Sequence, residues 1–382
     1  MSDHAPKPDS ANRGARVSSA LRSGEPPAES SPLRVMTRTT QTRFFNDSCA
    51  TSEIRYAVER GATGATSNPV ICLGVLRSES DTWLPRAGSI VRANPHWSEL
   101  QVAWQLYQEM GQAGARLLLP VFAANDQGWG RLSVQTDPTL YNNANAMLTQ
   151  ALDLASGGHN MQVKMPATSA GIAMIEEATF RGVNLNVTVS FSVPQVLAIA
   201  EGIERGLLRR DAAGLDTSTM TPVATMMIGR LDDWLKVIVA RNGLSIDPAH
   251  LDWAGIACAK RAVSIFNERR FRTKLLAAAY RHLGHWTELV GGGLVLTMPW
   301  EWQVKANNSG HDPKPRIDVP VDSAVLGALH TIPDFRRAYE PDGLRVRDFD
   351  TFGPTVRTLR SFITAWHDFV AVVRDVMLPD PG

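Results

Sequence analysis

The chain has 382 residues, 44% hydrophobic and 20% charged, the profile of a globular protein rather than a fibrous or wholly disordered one. Its formal net charge of +1 supplies no field that would draw in nucleic acid or an anionic membrane. No apolar run approaches the roughly 18 residues of a membrane span, the polar start Met1–Ser10 lacks a secretory core, and Cys49, Cys72 and Cys258 form neither a zinc pattern nor a disulfide framework, so a reducing cytoplasm is the expected compartment.

Residues 1–38 are rich in Ser, Pro, Arg and Ala without hydrophobic period, and a disordered tail is expected there, with Met36 a candidate alternative start. Residues 39–382 are expected to form one domain. Thr42–Asp47 reads as a first strand, Ser52–Arg60 as a helix with Ser52 as N-cap, and Gly64–Asn68 as a second strand. A helical pattern covers His96–Gly114, then come a third strand at Arg131–Thr136 and a helix at Leu140–Ala155. Met161–Met165 is the fourth strand, Ala170–Thr179 a helix, Asn184–Ser190 the fifth strand and Pro194–Leu208 a helix with Pro in its first turn. The sixth strand is Thr221–Gly229, with a helix at Asp232–Arg241 and a helical stretch from Trp253 to Leu283. Gly292–Met298 reads as the seventh strand, Leu326–Ile332 as the eighth, and Pro354–Met377 as a closing amphipathic helix. Repeated strand–helix units imply parallel strands with helical crossovers. Eight of them close into a single (β/α)8 barrel with extra helices, and a doubly wound open sheet is the competing fold.

The fourth strand carries the most informative residue. Met161–Met165 alternates apolar and polar, so Lys164 and Val163 face opposite sides. A lysine turned into a sheet or barrel interior must shed its hydration, a cost that falls if the amine is neutral. A neutral amine can attack a carbonyl and form a Schiff base. Other strands present polar side chains near their C-terminal ends: Asp47 on the first, Ser133, Gln135 and Asp137 on the third, Asn184, Asn186 and Thr188 on the fifth, Thr225 on the sixth. Any one of them is read most simply as a member of a structural hydrogen-bond network. The set together with a strand lysine points to a site at the C-terminal mouth of a barrel.

Ala65-Thr66-Ser67-Asn68-Pro69, Gln162–Thr168 and Asn184–Ser192 resemble the transaldolase family, as do Gly130–Asp137 for its third strand and Thr225–Asp232 for its sixth. Thr331-Ile332-Pro333 is similar to the end of the barrel in the longer subfamily. The resemblance runs from about Phe45 to Pro333. It implies a (β/α)8 barrel and cofactor-free, metal-free aldol chemistry. Lys164 stands where the family has its nucleophile, Asp47 where it has a proton-transferring aspartate, and Asn68 and Asn186 where asparagines hold a dihydroxyacetone unit. Thr188 matches a threonine that holds the catalytic water, Thr225 replaces a Ser, and Arg230 matches an arginine that binds phosphate. The physical roles agree: a carboxylate can pass protons, amides orient hydroxyls without titrating, and a guanidinium fork suits a phosphate.

Three departures stand out. Gln135 occupies the place of a glutamate that works with the catalytic water; it can hold that water but cannot ionise. Fructose-6-phosphate aldolases also have Gln here, yet they rely on a sixth-strand Tyr where this chain has Met227. After the seventh strand the family's Ser-x-Arg pair is expected, but Leu296–Trp302 offers Thr297 for the Ser and no arginine, leaving Lys305 as a candidate charge and Trp300 and Trp302 as either an apolar wall or loop packing. The loop Ala123–Trp129 matches nothing and is given no role. Gly291-Gly292-Gly293 precedes a strand, so it reads as a turn and not a phosphate loop. His159, His282 and His285 lack metal spacing and read as surface or packing residues.

Three functions follow in order. The first is transfer of a dihydroxyacetone unit from a ketose phosphate or related polyol to an aldehyde. The second is an aldolase using free dihydroxyacetone, motivated by Gln135. The third is a non-catalytic barrel that binds a sugar phosphate or a partner protein, which the presence of Lys164, Asp47 and Asn186 argues against. A homodimer is left open.

Overall fold

A computed structural model describes residues 25–380. Eight strands, all parallel, pair in chain order, and the last pairs with the first to close a barrel. They are β1 (Arg43–Asn46), β2 (Gly64–Thr66), β3 (Arg131–Gln135), β4 (Met161–Pro166), β5 (Leu185–Ser190), β6 (Val223–Met226), β7 (Lys274–Ala277) and β8 (Val295–Met298). Helices cover the outside, so β3, β4 and β5 are buried along their whole length. The period-two pattern sorts side chains between two environments. Leu132, Val134, Val163, Met165, Leu185 and Val187 belong to the apolar core. Ser133, Gln162, Asn186 and Thr225, on β3 to β6, hydrogen-bond to one another across the barrel interior. This barrel is therefore lined by a polar network, which explains why its strands alternate instead of reading as continuous apolar runs.

Two strand assignments need correction. The stretch read as helix from Trp253 to Leu283 is a helix only over Ala254–Arg269, and β7 follows it. Arg270 adopts a left-handed conformation (φ 55°) that ends the helix and turns the chain. Leu275, Leu276 and Ala277 carry no strand preference of their own, and pairing with β6 overrides it. The run Gly292–Met298 thus holds the eighth strand. Leu326–Ile332 is no strand: Ser323–His330 is a helix, capped by Asp322, whose Oδ1 accepts from Ala324 N at 2.8 Å and Val325 N at 3.3 Å. A smaller correction concerns Thr51–Glu59, whose N-cap is Ala50, with no side-chain cap from Ser52.

The expected tail also needs revision. Pro32–Thr39 forms a helix with Leu33 and Met36 fully buried. Trp286 Nε1 donates to Met36 Sδ at 3.2 Å, so Met36 lies inside an ordered element. Glu25 accepts a short hydrogen bond from Tyr56 and pairs with the buried Arg60 guanidinium at 3.4 Å. Residues 1–24 of the expected tail lie outside the described residues. Among the described residues no helix is long and apolar enough to cross a membrane.

The closing helix, Gly353–Met377, packs on the helices Pro69–Ser78 and Glu99–Leu117. Trp104 and Tyr107 meet Trp366 edge-on, and Tyr107 also meets Phe369 edge-on. Near the start of the helix Thr358 Oγ1 accepts from Arg230 Nη1 at 3.2 Å.

Candidate active site

The C-terminal ends of the strands converge on Lys164. Its Nζ is nearly enclosed, 4% of the residue being exposed, and donates to the Ser67 carbonyl at 3.1 Å. Burial lowers its pKa from the usual lysine range, and the charge of Asp47 opposes that shift. Asp47 follows β1. Burial raises its carboxyl, opposed by Lys164 and by Thr66 Oγ1, which donates to Asp47 Oδ1 at 2.6 Å. The buried amine and the half-buried carboxyl are each drawn toward neutrality, which suits them to exchange protons with a substrate.

A cavity of about 210 Å³ opens over this pair. Of the nine residues singled out from the sequence, it is lined by Asp47, Asn68, Lys164, Thr188, Thr225 and Arg230. Asn68 caps the helix Pro69–Ser78 through Oδ1, which accepts from Ile71 N at 3.0 Å, while its Nδ2 makes no hydrogen bond among the described residues. Thr188 is fully buried, and its hydroxyl has no partner among the described residues. The next residue, Val189, has φ 56°, and the β5–β6 register shifts between Val187 and Ser190. A β-branched residue in that region is strained, and the bulge it makes sits directly beside the cavity.

Gln135, Asn186 and Thr297 are not in the lining. Gln135 is opposite Lys164 in the strand pairing, fully buried, with neither amide atom hydrogen-bonded. Asn186 is held on both sides, donating to Ser133 Oγ at 3.0 Å and accepting from Thr225 Oγ1 at 2.6 Å. Thr297 lies on β8, 2.7 Å from Thr66 Oγ1, and so belongs to the network that fixes Asp47.

The arginine expected after the seventh strand is present, at a position concealed by the misread strand. β7 runs into Ala278-Ala279-Tyr280-Arg281, and Tyr280 and Arg281 line the cavity. Arg281 is joined there by Arg230, and both also line an adjoining cleft of about 240 Å³ with Asp233 and Arg357. Burial lowers the Arg230 pKa, and the nearby Arg281 adds to that. Asp233 pairs with Arg281 at 2.7 Å. Backbone geometry turns this corner. Ala279 has φ 68°, and a Cβ on Gly229 would collide with the Ala279 carbonyl. His285 Nδ1 accepts from the Arg281 backbone N–H at 3.2 Å, and its Nε2 lies 2.8 Å from Asp232 Oδ2. Burial pushes the His285 pKa down to about 3, so the ring is neutral and its Nε2–H donates to Asp232. Asp232, His282 and His285 are close enough to hold a metal ion, but both His285 nitrogens are already engaged.

Two expectations about the loops resolve cleanly. Trp302 lines the cavity with Pro299, Met227, Ile71 and Val70, making one wall apolar. Lys305 points elsewhere, its Nζ lying over the Trp302 ring at 4.0 Å. Trp129, from the loop before β3, packs against Phe45 at the opposite end of the barrel.

The profile of the Transaldolase/Fructose-6-phosphate aldolase family matches residues 44–330. Transaldolase 1 of Streptomyces avermitilis is 30% identical over 226 residues, 58% of this chain and 56% of that protein. The transaldolase of Thiobacillus denitrificans is 26% identical over 290 residues, 70% of this chain and 79% of that protein, and that of Thermobifida fusca 27% over 63% and 71%. The match thus spans little more than half the length of the Streptomyces relative.

Proposed function

Since the chain belongs to the Transaldolase/Fructose-6-phosphate aldolase family, we propose that it transfers a dihydroxyacetone unit from a ketose phosphate to an aldehyde through a Schiff base on Lys164. The observation that carries this reading is the buried amine of Lys164, held toward its neutral form, facing Asp47 across a cavity that ends on two arginines. The neutral Nζ attacks the donor carbonyl, and the carbinolamine loses water with proton exchange through Asp47. The donor's C4 hydroxyl then gives its proton to the Asp47 carboxylate. The C3–C4 bond breaks, its electron pair neutralises the iminium, and an enamine stays on Lys164 while the aldehyde leaves. An acceptor aldehyde reverses these steps. Asn68 orients donor hydroxyls with its unused amide N–H groups, and Thr188 with Gln135 holds water beside the imine. Asn186 fixes Thr225 at the wall. Arg230 and Arg281 take the phosphate.

Borohydride reduction with fructose 6-phosphate, followed by peptide mass spectrometry, tests the reading. A three-carbon adduct on Lys164, absent in Lys164→Ala, is expected. An adduct on another residue, or none from any donor, overturns it. Gln135 favours a second reading, an aldolase that accepts free dihydroxyacetone, because no carboxylate stands beside Lys164 on β3. Product formed from free dihydroxyacetone faster than from a ketose donor would select that reading.

A further inference from the structure

Tyr280 is the feature of the cavity that the mechanism above leaves unused. It is 3% exposed, lines the cavity with Lys164 and Asp47, and its hydroxyl has no hydrogen-bond partner among the described residues. The ring is fixed by His285, with centroids 6.1 Å apart, and by Trp302 at 6.4 Å. The strained Ala279 immediately before it sets where it stands. A buried hydroxyl without a partner destabilises a protein relative to the same ring without oxygen. Phenylalanine would satisfy every contact Tyr280 makes through its side chain, so the oxygen calls for a use outside the folded chain.

We propose that Tyr280 is a further catalytic residue, the acid that protonates the acceptor's carbonyl oxygen as the new carbon–carbon bond forms. The proposal rests on the Lys164 reading. The enamine's electron pair makes the bond to the acceptor carbon, and the carbonyl π pair moves to oxygen. That oxygen takes the proton of Tyr280 Oη. The phenolate is reprotonated by Asp47, and donor cleavage runs the same relay backwards, the C4 hydroxyl proton reaching Asp47 through Tyr280 Oη, so the proton count closes over the cycle. Burial, reinforced by the Asp47 charge, keeps the phenol protonated until an alkoxide forms beside it. Gln135 cannot do this because its amide does not ionise. Glu301, at the exposed rim of the same cavity, is the rival acid.

Tyr280→Phe and Glu301→Gln decide the matter, each measured three ways: melting temperature, borohydride adduct on Lys164 from dihydroxyacetone, and steady-state transfer from fructose 6-phosphate to erythrose 4-phosphate. Tyr280→Phe is expected to melt at or above the wild-type temperature and to form the adduct in wild-type amount. Its kcat falls about 10²-fold or more, the scale of a lost general acid, with KM little changed, while Glu301→Gln loses far less. Wild-type turnover by Tyr280→Phe with the adduct intact overturns the inference alone. So does a fall in kcat accompanied by a lower melting temperature and a lost adduct, which would mark Tyr280 as structural. If the wild type forms no adduct at all, the Lys164 reading fails and this inference with it.

Discussion

Lys164 and Gln135 face each other across adjacent strands, and the chemistry of the site turns on what charge lies between them. Burial lowers the Lys164 pKa, so the neutral nucleophile is reached at lower pH than for a free lysine. Borohydride trapping with dihydroxyacetone should therefore rise with pH and level off at a lower pH than for a free lysine. Gln135→Glu would add a buried carboxylate beside the amine. That stabilises the ammonium form, so the trapping curve should shift toward alkaline pH and the rate at pH 7 should fall. An unshifted curve would mean that residue 135 and the amine do not share a field. Lys164, Asp47 and Thr188 were legible in the sequence because strand alternation shows which side chains share a face. The bond from Thr297 to Thr66 was not, because the two lie far apart in the chain and no spacing rule connects them. Tyr280 gave no signal either: an orphaned hydroxyl is a property of packing.

At the level of elements, the corner between β7 and Arg281 depends on the helix Ile228–Asn242 approaching closely at Gly229. Gly229→Ala should force that helix and the Ala279 carbonyl apart. Because Arg230 and Arg281 both stand at this corner, KM for a phosphorylated donor should rise about tenfold or more, on the order of 1.4 kcal/mol of lost binding. Adduct formation from unphosphorylated dihydroxyacetone should stay near wild type. Equal loss with both donors would show that the corner supports the whole barrel and not the anion end. The first six strands were readable because of their alternation and because the helices Pro69–Ser78, Ala144–Ser156, Ser169–Phe180 and Val193–Ala212 carry side-chain caps. β7 was not, since Leu and Ala favour helix as readily as strand, and only pairing between β6 and β8 decides. One misread strand then displaced everything after it. The helix at Ser323–His330 stands where the eighth strand is expected, and Arg281 follows β7, well before the turn at Pro299. The capping signal of Asp322 was there to prevent this.

On the scale of the whole molecule, the segment Glu25–Thr39 closes the outside of the barrel near β1 and β8. Glu25 is buried against Arg60 and hydrogen-bonded to Tyr56. Glu25→Ala would leave the Arg60 guanidinium enclosed without its nearest carboxylate, a change of about 3 kcal/mol or more. Urea denaturation should show that loss in the midpoint, and a chain beginning at Met36 should lose at least as much because Leu33 goes with it. A midpoint within experimental error of wild type would mean the segment merely rests on the barrel. Low-complexity composition concealed this order: the four buried anchors, Glu25, Ser31, Leu33 and Met36, are too sparse to make a pattern.

The closing helix, Gly353–Met377, emerges only after all eight strands have been made, and it sets Trp366 and Phe369 edge-on against Trp104 and Tyr107, far earlier in the chain. A nascent chain that has completed its eight strands still lacks this cover. Domains assemble as units once their sequence is available, and exposed apolar surface persists until then. In the unfinished barrel Trp104 and Tyr107 face solvent, and Arg230 lacks Thr358 on the rim of its cleft. The lysine end of the cavity is thus complete once the eight strands and their loops are made, whereas the arginine end waits for the closing helix.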